Sequence, residues 1–246
     1  MRLTLGPIAV TATLALTTTG VAATTTFLED FSALPVGTCY PDGQTVGAWE
    51  FVYNGYGCNG VTSLGGNNVL YQRPMASVQP DETHANMVTG PLVDGDFTME
   101  VSLATSRPLR TGTPPNPWEV AWLIWHQTDD VHFYYFVPKP NGWELGKADP
   151  AYPGAQRFLA TGSTPQFPIG PWYRVKVTQV GTTLRVYVND LLITTFTDNE
   201  YPYTSGKIGL YNEDAEVYFD EVTISAAETQ TAIALPSAPT RGKKRR

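Results

Sequence analysis

Residues 132–147, HFYYFVPKPNGWELGK, set five aromatic residues, a histidine, a glutamate and a lysine in two alternating runs joined by a Pro-Asn-Gly turn. Such a set suits sugar recognition. A ring offers its flat face to the C–H side of a pyranose, and carboxylate, imidazole and phenol groups bond the hydroxyls. If QTDD (127–130) closes a hairpin with Thr128-Asp129 at its tip, Trp125 pairs with His132, Leu123 with Tyr134 and Ala121 with Phe136. One face then carries Glu119, Trp125, His132 and Tyr134, the expected cleft. The other carries Val120, Trp122, Ile124, Phe133, Tyr135 and Val137, the expected core. A loop of different parity flips one strand and brings in Trp122 and His126 instead. The turn PKPNG can be counted in more than one way, so either Glu144 or the Trp143 and Lys147 pair faces the cleft.

In this arrangement His132 or Glu119 serves as base and Tyr134 as acid, with Glu144 a further catalytic candidate. Trp125, His126 and Trp143 are the expected sugar contacts, and Lys147 or Arg110 would hold an acidic substrate. The competing reading of the whole row is cross-strand packing with polar tips at the rim. A Ser-His-Asp triad, a P-loop, a dinucleotide fingerprint and an H-E-x-x-H zinc motif are absent from the sequence.

Short strands must position these residues. No segment has sustained helical periodicity, and alternating runs separated by Gly, Pro, Asn and Asp recur from about residue 46 to 225. AWEFVYN, NVLYQR, DFTMEVSLAT, EVAWLIWH, VHFYYFV, WELGK, QRFLA, WYRVKVTQV, TTLRVYV, LLITTF, KIGLYN and EVYFDEVTI read as strands of two packed antiparallel sheets. In TTLRVYVNDLLITTF, Asn189-Asp190 forms a two-residue hairpin turn, setting Leu184, Val186 and Val188 on one face with Leu191 and Ile193. The 246 residues, 42% hydrophobic with 22 Gly and 20 Pro, suffice for one sizeable core and contain too many breakers for a helical protein.

Residues 1–23 read as a secretory signal: one positive charge, an apolar stretch and a small-residue exit at Val21-Ala22-Ala23. A buried first strand or a membrane anchor is the other reading of this segment. Cys39 and Cys58, the two cysteines of the chain, are expected to form a disulfide across a short loop, as export permits. The formal charge is −7, and five of the 16 basic residues crowd the end of a Ser/Thr/Pro-rich tail, residues 227–246. Without those five and Arg2, ten basic residues face 23 acidic ones, which argues against nucleic acid and anionic membranes as partners of the domain.

PWYRVKVTQVGTTLRVYVNDLLI followed by SGKIGLYNEDAEVYFDEVTI resembles the C-terminal half of the concanavalin A-like lectin/glucanase superfamily. The nearest patterns are laminin G-like and 3-keto-disaccharide-hydrolase-type (family 16-like glycoside hydrolase) domains. The resemblance covers roughly residues 25–226 and implies an all-β, two-sheet antiparallel jelly-roll sandwich. It leaves the reaction open, because the superfamily includes lectins, hydrolases, lyases and adhesion modules. Retaining family 16 glycosidases resemble one another in an E-x-D-x-x-E strand that is absent here, so their carboxylate pair is not carried over. FLEDF and VYFDEV resemble two strands that, in many of these sandwiches, meet and share a structural Ca2+, which makes Asp30 and Asp220 the expected side-chain ligands. The inward phase of EVYFDEVTI slips at Asp220-Glu221, as a bulge would make it.

The expectation is therefore a secreted, monomeric domain engaging a polysaccharide or oligosaccharide, with no nucleic acid and no membrane insertion. Three functions remain in view: a glycan-processing enzyme of hydrolase or lyase type, a non-catalytic carbohydrate-binding module, and a laminin G-like adhesion module.

Overall fold

The computed structural model describes residues 25–227. The expected signal segment and most of the basic tail lie outside these residues. In chain order the strands are β1 (Thr25–Glu29), β2 (Gln44–Val46), β3 (Trp49–Tyr53), β4 (Cys58–Leu64), β5 (Asn67–Arg73), β6 (Ala85–Asp94), β7 (Phe97–Pro108) and β8 (Ala121–Asp129). They continue with β9 (His132–Lys139), β10 (Gly142–Ala148), β11 (Gln156–Gly162), β12 (Trp172–Val180), β13 (Thr183–Val188), β14 (Leu191–Thr197), β15 (Ser205–Glu213) and β16 (Ala215–Ala226). One sheet runs β14-β13-β12-β7-β16-β5-β4, with β1 beside β16, and the other runs β11-β10-β9-β8-β15-β6-β3-β2. Two antiparallel sheets stacked face to face form the jelly-roll sandwich expected from the sequence. No helix of the described residues is long and apolar enough to cross a membrane.

Every strand read from the sequence is present, and β2, β4 and β6 are additional. β6, ANMVTGPLVD, hides its strand character because Gly90 and Pro91 break the alternation where its pairing with β15 shifts register. Gly90 is needed there, since a Cβ at that position would come within 2.6 Å of the Trp49 ring.

The core between the sheets is built by Trp49, Phe51, Met99, Leu103, Leu123, Trp125, Phe136, Leu210 and Phe219, all buried. β16 anchors it. Val217 and Phe219 point inward, the register slips between Asp220 and Thr223 with Glu221 at φ 51°, and Val222 and Ile224 then point inward again. β1 pairs with β16 past that bulge, Glu29 facing Val222. A disulfide joins Cys39 to Cys58, as expected. Closing a loop of this size stabilises by about 3 kcal/mol in the chain-entropy picture.

The β13–β14 hairpin turns at Asn189-Asp190, both residues at positive φ, and Leu184, Val186 and Val188 are buried. Its second strand departs from expectation. A bulge between Val186 and Tyr187 pairs Leu184 with Phe196, and leaves Leu191 58% exposed at the hairpin tip.

Candidate functional site

Trp125 shares a face with Tyr134, and Trp122 and Ile124 with Phe133 and Tyr135, but the side each set faces is the reverse of the expectation, Trp125 pairs with Tyr134 and not with His132, and Glu119 and His132 do not join them. The turn is Asp130-Val131, Asp129 pairs with His132, and a bulge at His126 (φ 52°) brings Trp125 opposite Tyr134. Trp125 and Tyr134 are both 0% exposed and point between the sheets, where the Trp125 indole N–H donates to Gln179 Oε1 (3.1 Å). Trp122, Ile124, Phe133 and Tyr135, the expected core, face outward. Both faces of these strands are apolar, so the alternation marks two sets without saying which is inside.

The outward set walls a cavity of about 420 Å³ on the outer face of the second sheet. Two cross-strand rows build its floor. In one, Tyr53 on β3 pairs with Met87, Met87 with Tyr211 and Tyr211 with Trp122. In the other, Gly209 on β15 pairs with Ile124, Ile124 with Tyr135 and Tyr135 with Gly146. The Trp122 ring lies 5.1 Å from that of Tyr135 and 5.3 Å from that of Tyr211. Its indole N–H donates to the Trp118 carbonyl (2.7 Å). Tyr135 crosses Gly146, where a Cβ would stand 2.0 Å from the ring. Its hydroxyl donates to Glu144 Oε1 (3.0 Å) and accepts from Gln156 Nε2 (3.1 Å). Asp130, Val131, Gly154 and Ala155 complete the rim.

The polar chemistry of the cavity is acidic and phenolic. Asp130 and Glu213 line it, and among the described residues no lysine, arginine or histidine does. Burial, reinforced by the neighbouring Asp214 and Glu119 carboxylates, holds the Glu213 carboxyl above the ordinary range, although the Tyr211 hydroxyl donates to it (2.7 Å). Burial and nearby carboxylates likewise raise the phenols of Tyr53, Tyr135 and Tyr211, which remain neutral hydrogen-bond donors. Glu144 reaches this face from β10 but is engaged by Lys139 Nζ (2.8 Å) as well as by Tyr135.

The other expected site residues are brought elsewhere. Arg110 and Glu119 form a buried tie at 2.6 Å. The same guanidinium also donates to Asp214 (2.9 Å) and to the carbonyls of Gln79 and Glu82, so four of its five N–H groups are committed within the protein and the side chain is buried away from any substrate. Lys147 is wholly buried on the inner face. Its ammonium donates to Asp198 (2.9 Å) and to the carbonyls of Glu200 and Tyr201, and sits 4.3 Å from the Tyr203 ring centre. Burial alone would raise the Asp198 carboxyl, but hydrogen bonds from Tyr134, the Glu200 N–H and Lys147 hold it below the ordinary range.

His126 is buried with Nδ1 against the Tyr203 carbonyl (2.9 Å), and burial pushes its pKa down to about 4, so it stays neutral. His132 pairs with Asp129 (2.8 Å) at the exposed hairpin end. Trp143 packs at the edge of the core, its indole N–H on the Thr164 carbonyl (2.9 Å).

The residues missed from the sequence are Glu213, Tyr211, Tyr53 and Gln156. Leu210 is a core residue, and a period of two along KIGLYNE places Tyr211 and Glu213 together on the opposite face.

At the β1–β16 seam Asp220 accepts from Asn67 Nδ2 (2.6 Å) and from the Glu221 N–H (2.8 Å), while Asp30 accepts from the Ser32 N–H (3.0 Å). Burial raises the Asp220 carboxyl, and Asp30 adds to the effect from across the seam. Among the described residues no three acidic, histidine or cysteine side chains gather as a metal site.

Three solved structures share the architecture. A CBM66 carbohydrate-binding module from Bacillus subtilis is 17% identical with a TM-score of 0.54, covering 76% of this chain and 100% of its own. A galectin-like protein of unknown function from Bacillus subtilis is 12% identical with a TM-score of 0.50, over 70% and 89%. The GH43 protein BlXynB from Bacillus licheniformis is 12% identical with a TM-score of 0.51, over 81% and 39%. At these identities the likeness establishes the fold. None of the curated proteins matches the sequence. The family model of the 3-keto-alpha-glucoside-1,2-lyase-like domain matches residues 41–225, a span that runs from β2 into β16 and includes every wall of the aromatic cavity, and the chain belongs to that family.

Proposed function

We propose that the aromatic cavity binds one unit of a neutral glycoside and that Glu213 is the proton-transferring group that acts on it, in an enzyme exported from the cell. The observation that carries this reading is one half-open cavity that combines aromatic walls, neutral phenols and a carboxyl of raised proton affinity. Perturbed carboxyls in such settings serve acid–base chemistry. The absence of cations among the lining residues, beside Asp130 and Glu213, disfavours uronate sugars. The disulfide is the support for export, since such bonds persist in oxidising compartments.

Elimination across C1 and C2 of a 3-keto-glucoside, the reaction in the family's description, fits this residue set better than hydrolysis by a carboxylate pair. The C3 carbonyl acidifies the C2 proton, a base removes it, and the C1–O bond breaks to release the glycosidic oxygen with a proton. One base is needed. A carboxylate of raised proton affinity is a stronger base once ionised, and the phenol of Tyr53, whose O–H meets only the weak acceptor Met87 Sδ (3.4 Å), can hydrogen-bond the developing enolate. The second reading, binding without turnover, is favoured by the Tyr211 O–H on Glu213 Oε1 (2.7 Å), which occupies the carboxylate that would take the C2 proton.

Incubation with trehalose, sucrose and their 3-keto forms separates these readings. Glu213→Gln is expected to lower turnover by about 10²-fold or more while leaving affinity nearly unchanged. Trp122→Ala is expected to remove binding. Unchanged turnover in the Gln variant would exclude Glu213 as the base, and sugar binding that survives Trp122→Ala would place the site elsewhere.

A structural calcium at the β1–β16 seam belongs to the same proposal. Added Ca2+ is expected to raise the melting temperature by mass action, and Asp220→Asn to remove that rise. A melting curve unmoved by calcium and by chelator would leave Asp30 and Asp220 as a carboxylate pair without an ion.

A further inference from the structure

β6 presents two successive outward positions, Met87 and Thr89. Met87 lines the aromatic cavity, and Thr89 lines a second cavity of about 480 Å³ whose walls include Glu50, Val52, Gln127 and Lys207. Both cavities lie on the outer face of the second sheet. A period of two along a strand separates their β6 positions by about 7 Å.

Thr89 is 2% exposed, and its hydroxyl is buried without a hydrogen-bond partner among the described residues. An unpaired buried hydroxyl is unfavourable until something supplies its partner. Across the sheet Thr89 stands between Glu50 and Gly209, and Gly209 in turn faces Ile124. A Cβ at position 209 would lie 3.0 Å from Ile124 Cβ and 3.4 Å from Met87 Cε, at the boundary between the two cavities. With glycine there no side chain rises from β15 at that point, and the Ile124 and Met87 side chains of the first cavity close over it to form the divide between the two cavities. The charges of the second cavity cancel, because Lys207 Nζ stands 2.6 Å from Glu50 Oε2.

We infer that this second cavity is a sugar subsite adjoining the aromatic one. It takes the adjoining neutral unit of a disaccharide or longer glycan, and Thr89 Oγ1 exchanges a hydrogen bond with one of that unit's hydroxyls. A threonine hydroxyl can both donate and accept, as a sugar hydroxyl can. With Lys207 paired to Glu50 the second cavity carries no net charge, which favours an uncharged unit, as in the first cavity. The inference rests on the reading of the aromatic cavity as a saccharide site and extends it from one unit to at least two.

The test is titration calorimetry of the full chain with glucose, 3-ketoglucose, trehalose, sucrose, cellobiose and the 3-keto forms of these disaccharides. At least one disaccharide is expected to bind ten times or more tighter than the monosaccharides. Thr89→Val, which keeps the shape and removes only the unpaired hydroxyl, is expected to melt no lower than the parent. It should weaken disaccharide binding about tenfold and leave monosaccharide binding unchanged. Equal affinity for one and two units, or a Thr89→Val variant that binds disaccharides as the parent does, overturns the subsite. In that case loss of all binding in Trp122→Ala leaves the first cavity standing as the saccharide site. If none of these sugars binds the parent, both readings fall.

Discussion

Trp125→Ala is expected to destabilise the fold by about 3–5 kcal/mol, a drop in melting temperature of roughly 10 °C for a domain of this size. The ring is wholly buried between the sheets, 5.7 Å from the Tyr134 ring, and its N–H satisfies Gln179. Truncation leaves a cavity that the surrounding strands cannot close and an amide oxygen that has lost its donor. Any change in saccharide binding should scale with the unfolded fraction. Trp122, three residues earlier, provides the contrast, for it lies in the smaller cluster on the outer face and lines the cavity. Urea unfolding and sugar titration of both variants distinguish the two roles. A Trp125→Ala variant that melts like the parent but no longer binds sugar would show that Trp125 faces the ligand and would refute the placement of the two faces.

Lys147→Met is expected to cost about 3–5 kcal/mol, the range for removing one partner of a buried ion pair. Met matches the length and apolar stem of lysine, so packing is largely kept and the loss is electrostatic. Asp198 would then be left with Tyr134, the Glu200 N–H and Arg157, the last at 3.6 Å, while two backbone carbonyls of the β14–β15 connection would lose their donor. Adding Asp198→Asn removes the stranded charge, so the double variant should be less destabilised than the sum of the two single changes. Strict additivity in denaturant unfolding would mean that the two groups do not act as a pair.

Both substitutions concern residues that the sequence offered as ligand contacts, and the reason they are core residues is instructive. The alternation on β8 and β9 correctly sorted Trp125 with Tyr134 and Trp122 with Tyr135, because a strand's period of two is a local property. Local properties also fixed the Asn189-Asp190 turn and the slip at Asp220-Glu221, where backbone conformation and inward phase are written in a few adjacent residues. The all-β sandwich and the Cys39–Cys58 link were equally legible, the former from many short strands and the latter from the only available partner.

The inward side of β8 and β9 was not legible, because a middle strand with apolar residues on both faces has the same pattern either way up. Its choice is made by what stacks against it. The inner face meets Val175, Val177, Leu184 and Val186 of the opposite sheet, while Tyr53, Met87 and Tyr211, arriving from β3, β6 and β15, cover the outer face. The ionic groups were undetermined for the same reason. Arg110, Glu119, Lys147 and Asp198 look like free chemistry in sequence, and only long-range contacts convert them into closed buried pairs. Glu213 passed unnoticed because its raised proton affinity comes chiefly from desolvation, which the chain acquires only when six strands assemble around it. The sequence by itself determined strands, turns and the disulfide, all set by near neighbours. The tertiary structure decided which face is the site and which charges are free, since burial depends on residues far apart in the chain.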